Sequence, residues 1–505
     1  MSRLAVLVLL LSLAATADAQ PPSPTGFNEQ LSAEVYVAAL AFMAPRILDP
    51  VPVPQLAVWG LHGLTALDPD LSADVAGAGL VLSLRDRIIV ARPLPATATP
   101  QAWGGLAAAL PAAAWPYSPA IRRAGTQGIV QAFFDELFNH LDPYSRYIGP
   151  AEAREDEARR IGTAGAGLVL ANRAGAVAVT DAIPDGAGAA AGIRVGDHIL
   201  AVNGRPVGSE AAAIVTRRID GPEGSPVTIT WRTREGRLHT AAVERATTPP
   251  ETVFAERTGD LLLIRISSFS RRTDERLTTE ITHALAGPRP VQGLVLDLRD
   301  NRGGLLRQAV TVAEQFLPPG PVVTTAGRDP EASRVWLSSG TQIAGVLPLV
   351  VIVDGRTASA AEILAAALAD RGRAVVVGST TMGKGLVQTV APLPDGGELF
   401  VTWSRVLAPR GWPLQGLGVL PQVCTSRGQD ERGRELAELA AGRQPLEGAL
   451  ARHQAARAPV PVAEALAIRN ACPAAEGRDD DVIAARFLID HPGAYATALL
   501  PPLSR

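Results

Sequence analysis

Between residues 261 and 377 the chain alternates short runs of Leu, Val and Ile with amphipathic runs of helical length. Strand-length runs fall at 261–266, 293–298, 348–353 and 374–377, and helix-length runs at 274–285, 305–316 and 360–369. A strand followed by a helix and another strand needs a crossover connection. Repeated crossovers give a largely parallel sheet with covering helices. Ligands on such sheets sit beyond the carboxyl ends of the strands. Any chemistry is therefore expected in the turns that follow residues 298, 353 and 377.

The length of 505 residues allows roughly three or four domains. A net charge of -3, with arginines scattered rather than clustered among aromatics, argues against nucleic acid or an anionic membrane as the main partner. Arg3, the apolar run 4–13 and the small-x-small site Ala17-Asp18-Ala19 read as a signal peptide over 1–19, with Gln20 starting the mature chain. The run is too short to span a bilayer comfortably, and no other apolar segment is long and uninterrupted enough for a transmembrane helix. The mature protein is expected without a membrane span, in the periplasm or secreted. Cys424 and Cys472 are the two cysteines. In an exported chain they favour a disulfide worth about 4 kcal/mol by loop entropy. Two unpaired buried thiols are the alternative, and no zinc spacing accompanies them.

Residues 20–154 read as mainly helical. Two apolar helical faces each end at an Asp-Pro stop, Leu67-Asp68-Pro69 and Leu141-Asp142-Pro143, and strand-like density appears at 78–92 between them. The charged stretch 152–160 reads as a solvated helix or linker. Within the region 155–248, residues from 162 to about 244 read as short strands and turns, with Asn203-Gly204 as a hairpin signal and a strand at 227–231. Thr247-Thr248-Pro249-Pro250 reads as a linker into the alternating region, 249–423. The remainder, 424–505, looks helical.

Three motifs occupy the expected turns. In Asp354-Gly355-Arg356-Thr357-Ala358-Ser359-Ala360-Ala361-Glu362, Ser359 stands at a helix start. Ser-x-x-Glu is also a capping box, so Ser359 is either an N-cap or a nucleophile whose anion the helix N-terminus would stabilise. Gly383-Lys384-Gly385 holds the only lysine among 47 Lys and Arg residues. Arginine cannot give up its proton in a protein, whereas a desolvated lysine can. Bringing a lysine from about 10.4 to about 7.5 takes roughly 4 kcal/mol of bias against the charged form. Gln388, four residues on, shares a face with Lys384 on either a helix or a strand and is placed to orient the amine. The third motif, Asp297-Leu298-Arg299-Asp300-Asn301-Arg302-Gly303-Gly304, ends in a glycine pair whose N–H groups can face an oxyanion, or which is merely a helix-entry turn. Together the three supply nucleophile, base and oxyanion donors for acyl transfer. No histidine lies between His283 and His453, so a Ser-Lys dyad fits more simply than a triad.

From about residue 141 to 423 these features resemble the C-terminal processing peptidases, or tail-specific serine proteases. Leu141-Asp142-Pro143-Tyr144-Ser145, Ala191-Gly192-Ile193-Arg194-Val195-Gly196-Asp197, Ile266-Ser267-Ser268-Phe269 and Gly416-Leu417-Gly418-Val419-Leu420-Pro421 carry the likeness. The resemblance implies an α/β multidomain fold. Its parts are a β-rich PDZ domain at 155–248 and a crotonase/ClpP-like peptidase core at 249–423; the helical N-terminal region is read from the residues themselves, as is the helical extension 424–505, which is unlike the core family. It places the serine nucleophile on Ser359, the lysine base on Lys384 and the orienting amide on Gln388. The oxyanion donors fall on Ala360 and on the Gly303-Gly304 turn. Gly165-Ala166-Gly167-Leu168 would bind a substrate's terminal carboxylate, with the tail added as a strand. The implied partners are proteins with accessible carboxyl-terminal tails; no cofactor or metal is implied. Ala361, Arg302, Ser379 and Gln422 depart from the family pattern without removing a catalytic group.

Two other readings are open to the sequence. Gly378-Ser379-Thr380-Thr381-Met382-Gly383-Lys384 fits seven positions of a P-loop, but Gly385 stands where Mg²⁺ needs Ser or Thr, and strands rather than a helix are expected next. A non-catalytic PDZ scaffold is the other, against which the intact Ser359, Lys384 and Gln388 speak.

Overall fold

The computed structural model describes residues 26–183 and 186–503. The signal-peptide reading of 1–19 lies outside the described residues. The chain forms two compact units.

The first unit comprises residues 26–44, 51–149 and a hairpin tip at 392–399. Sequence order assigns that tip to the peptidase core. It groups with the first unit because Tyr147 Oη donates to Asp395 Oδ2 at 2.6 Å, and Gly397 leaves the space that the Tyr147 ring fills. The unit's centre is aromatic: Tyr36 stacks on Phe133 at 4.0 Å, and Phe134 stacks on Tyr147 at 4.8 Å. Both Asp-Pro stops end helices, Gly63–Leu67 and Pro119–Asn139. Asp68 is also used at long range, where it accepts from Ser118 Oγ at 2.5 Å while that oxygen caps the helix beginning at Pro119. The strand-like density at 78–92 is two strands, Gly79–Leu84 and Arg87–Pro93, of a three-stranded antiparallel sheet. Its third strand, Leu71–Ala76, has only Leu71 and Ala73 buried, too weak an alternation to stand out.

In the second unit the charged stretch is a helix, Pro150–Arg160, which runs through the 154/155 boundary drawn from the sequence. There follows an antiparallel sheet whose strands lie in the order Leu238–Glu244, Pro226–Arg232, His198–Val202, Ala176–Ala182, Leu168–Arg173. Val227, Ile229 and Trp231 point inward and alternate with Thr228 and Thr230, the period of a half-buried strand. Asn203 and Gly204, both at positive φ, make the turn that pairs Val202 with Arg205. The stretch read as a linker is partly structured: Ala246–Thr248 pairs antiparallel with Thr163–Gly165 and closes the region.

The main sheet has six strands in the order Val253–Thr258, Leu261–Ile266, Gly293–Asp297, Leu349–Val353, Val375–Gly378, Val423–Cys424. The first is antiparallel and the other five are parallel. Every residue of Gly293–Asp297 and Leu349–Val353 is buried, as expected for strands covered on both faces. One face packs Ile264, Leu296 and Val351 against Leu277, Val310 and Leu364 of the three intervening helices. The other packs Val295, Val350 and Ile352 against Leu436, Ala484 and Leu488 of the carboxyl-terminal helices. The tail after residue 424 is thus a layer of the core.

Candidate active site

The three motifs meet at the carboxyl ends of the parallel strands. Ser359 follows strand Leu349–Val353 and precedes helix Ala360–Asp370. Its backbone sits at φ 57° and ψ -119°. A non-glycine residue there is strained by of order 1–3 kcal/mol, and an N-cap normally has extended backbone instead. Ser359 and Glu362 hold the N-cap and N3 positions of a capping box, in which Glu362 reaches back and its Oε2 accepts the Ser359 N–H at 2.7 Å. The conformation is that of a sharp strand-to-helix turn presenting a side chain, not of an ordinary cap.

Glu362 does more than close that turn. Its Oε2 also accepts the Lys384 N–H at 2.9 Å, and its Oε1 accepts Thr381 Oγ1 at 2.5 Å and the Gly383 N–H at 2.6 Å. One fully buried carboxyl therefore holds the Ser359 turn and the Lys384 loop together. Burial pushes its pKa up, and the bonds from Thr381, Gly383, Ser359 and Lys384 pull it back. Met382 N–H donates to Thr357 O at 3.0 Å, a second tie between the same two segments. Sequence reasoning saw Glu362 only as half of a capping box, because nothing local signals its bonds to residues 19 to 22 positions away.

The glycines around Lys384 have separate reasons. At Gly385 a Cβ would lie 2.1 Å from Gln415 N, and Gly383 is at φ 86° with its N–H in the Glu362 cradle. The segment 414–418 thus packs directly on the loop, and Gly416 N–H donates to Gly383 O at 2.9 Å. Gln388 lies on strand Leu386–Pro392, and its Nε2 donates to Leu386 O at 3.2 Å and Thr402 Oγ1 at 3.0 Å. With its nitrogen so held, its oxygen is the atom left to receive a donor. A strand after Lys384 also removes the P-loop reading, which requires a helix there.

Gly303, the first of the glycine pair, touches the serine, and Gly304 lies against the Phe269 backbone. A Cβ on Gly303 would lie 2.8 Å from Ser359 Cβ and 3.0 Å from Ala360 N. Asn301, wholly buried, holds this turn: its Nδ2 donates to Ile266 O at 2.7 Å, and its Oδ1 accepts the Gly303 N–H at 2.8 Å. Asn301 O accepts the Ala358 N–H at 2.9 Å, which fixes the glycine turn to the serine turn.

A segment near the chain's end braces all three turns from behind. Ala475 O accepts the Gly355 N–H at 2.7 Å and Ser379 Oγ at 3.0 Å. Arg299, paired with Asp297, donates to Arg478 O at 2.6 Å. Ser379, one of the departures from the family pattern, is thus occupied by this brace. Cys472 O accepts Thr380 Oγ1 at 2.5 Å, and Cys472 is disulfide-bonded to Cys424 at the end of the last parallel strand. The disulfide expected from the sequence therefore pins the brace. Cys472→Ser is expected to cost about 2–4 kcal/mol of stability and to lower kcat in the folded protein. Urea melts and assays with and without reductant check this, and unchanged activity in the folded variant would remove the brace from the site.

The segment Gly165-Ala166-Gly167-Leu168 lies elsewhere in the second unit. It forms one wall of a cavity of about 190 Å³ between edge strand Leu168–Arg173 and helix Ala212–Ile219, with Thr216 and Ile219 on the helix and Ile183 beside Gly167, to whose carbonyl its N–H donates at 3.0 Å. Gly167 has φ 68°, a conformation that favours glycine. Asp220 also lines this cavity, and burial pushes its pKa up against the lowering effect of Arg245.

Residues 260–425 match peptidase family S41, and residues 178–233 match the PDZ domain. The carboxyl-terminal-processing protease of a Picosynechococcus species is 35% identical over 294 residues, covering 55% of this chain and 69% of that protein. The chain belongs to the carboxyl-terminal-processing protease family. The chloroplastic C-terminal processing peptidase of Tetradesmus obliquus is 31% identical, covering 60% of this chain and 69% of its own length. The carboxy-terminal-processing protease of Bartonella bacilliformis is 29% identical, covering 61% and 71%. The family consists of serine-type peptidases carrying a PDZ domain, and the α/β multidomain architecture with a helical extension agrees with it. Among the described residues no helix is long and apolar enough to cross a membrane.

Proposed function

We propose that the protein is an endopeptidase that cuts protein substrates near their carboxyl termini through Ser359 and Lys384. The observation that carries this reading is the shared Glu362 oxygen, which brings the backbones of these two residues to one place. Lys384, as the neutral amine, takes the Ser359 hydroxyl proton as the oxygen attacks the scissile carbonyl. The resulting ammonium then protonates the departing amine. A water, deprotonated by the same lysine, releases the acyl group and restores the serine. Gln388 receives an N–H of the amine and aims it. Gly303 N–H is already held by Asn301, so we assign Gly304 N–H and Ala360 N–H as the oxyanion donors. Gly303 contributes by leaving the approach open.

In this reading the substrate tail pairs with edge strand Leu168–Arg173, and its carboxylate meets the N–H groups of Gly165, Ala166, Gly167 and Leu168. The Cys424–Cys472 disulfide suits an oxidising compartment, which supports export to the periplasm or beyond. Peptides matching in all but the terminal group test the assignment. A free carboxylate should be cleaved about 10–100-fold more efficiently than the carboxamide, the worth of hydrogen bonds to one charged group. Equal kcat/KM for the two would remove the tail-binding role of this loop.

A further inference from the structure

We infer that His62, Glu136 and His140 form a binding site for a divalent transition cation of the zinc class. Each offers one ligand atom, and the three atoms lie within 4.8 Å of one another. All three belong to the first unit, whereas the serine, the lysine and the tail cavity belong to the second.

No local spacing announces this site, since His62 precedes the other two by more than seventy positions. The fold unites them. His62 stands at the junction of helices Val53–Leu61 and Gly63–Leu67, bracketed by Gly60 and Gly63. A Cβ on Gly60 would lie 2.4 Å from the Phe133 ring, and one on Gly63 would lie 2.2 Å from Ala132 O. These two glycines let the junction lie directly on helix Pro119–Asn139, which places His62 beside that helix's last turn. Glu136 and His140 are four residues apart there and project from the same face.

The side chains are already oriented. His140 stacks on Trp59 at 4.5 Å with the rings 11° apart. Its Nε2 lies 3.4 Å from Glu136 Oε1. Bonds of 2.0–2.1 Å in a tetrahedron give ligand-to-ligand edges of roughly 3.3 Å, so this edge is preformed. Asn139 Nδ2 donates to Glu136 Oε2 at 3.2 Å, holding the second oxygen and leaving Oε1 for the site. Such outer partners are what fix a ligating carboxylate. Two imidazoles and one carboxylate suit zinc and its neighbours rather than Mg²⁺ or Ca²⁺, which prefer oxygen. His140 is partly exposed, so a fourth position opens to water. The bound ion would clamp the helical junction to the long helix.

The untagged protein, titrated with Zn²⁺ by calorimetry, should bind one equivalent and show a rise in Tm, with no response to Mg²⁺. Co²⁺ in its place should give the visible absorption of a low-symmetry N/O site. His62→Ala, His140→Ala and the near-isosteric Glu136→Gln should each weaken Zn²⁺ by more than the roughly 10–100-fold that loss of a supporting partner costs. Peptidase activity without added metal should be unchanged. Absence of saturable Zn²⁺ binding would overturn the site. Undiminished binding in the His62→Ala/His140→Ala protein would do so too. Loss with His140→Ala but not with His62→Ala would overturn the three-ligand arrangement.

Discussion

Ser359→Ala should abolish turnover, with kcat/KM falling at least about 10⁴-fold, while tail binding to the PDZ domain is unchanged. The serine hydroxyl is the only group lost, and the Glu362 carboxyl that holds the turn through the residue-359 N–H is untouched. Lys384→Arg should fail as completely, because arginine retains charge and reach but cannot take the serine proton. Lys384 is the sole lysine, so an amine-directed reagent has one side-chain target, and its modification should track inactivation one for one. Titration of residual activity against extent of labelling, with tail-peptide affinity as the folding control, measures this. Cleavage by Ser359→Ala at the wild-type rate, or full activity after complete labelling of Lys384, would end the dyad assignment.

Much of the fold was legible because it rests on local pattern. The strand 261–266 and the helices at 274–285 and 360–369 occur within a residue or so of the expected bounds. Their apolar runs are buried in the way that periodicity implies. The hairpin at Asn203-Gly204 follows from turn chemistry alone. What escaped the sequence depends on contacts between distant segments. Thr247 and Thr248 read as a linker because a three-residue ladder to Thr163–Gly165 has no signature of its own. Residues 392–399 lie within the core's span of sequence yet pack with Tyr147, some 250 positions earlier. The bracing role of 472–478 is carried largely by backbone carbonyls of Cys472, Ala475 and Arg478, which no side-chain pattern reports. Among the candidate site residues, Ser359, Lys384 and the glycine pair stood out through residue type and position. Asn301 and Glu362 did not, since an amide in a turn and an acid in a helix's first turn are both ordinary.

Glu362 is where that gap has the largest consequence. Its two oxygens receive four donors, from Ser359, Lys384, Thr381 and Gly383, and no solvent reaches it. Glu362→Gln preserves size but replaces one oxygen by an NH₂ group. Whichever way the amide turns, two donors then face a donor: either the Ser359 and Lys384 N–H groups, or the Thr381 hydroxyl and the Gly383 N–H. A hydroxyl can rotate away and a backbone N–H cannot, so the amide should keep its oxygen toward Ser359 and Lys384. The misfit then falls on Gly383, directly before the base. An unsatisfied buried donor costs about 1–3 kcal/mol, and a loop that shifts to relieve it misplaces the Lys384 amine. At 1.4 kcal/mol per decade, with positioning errors amplifying the loss, kcat should fall about 10²–10³-fold, while KM and tail affinity stay near wild type. Glu362→Asp should be no better, because a side chain one methylene shorter cannot reach the serine turn and the lysine loop together. The split between kcat and Tm separates positioning from support: a variant with lowered Tm but wild-type kcat per folded molecule would reduce Glu362 to a structural residue.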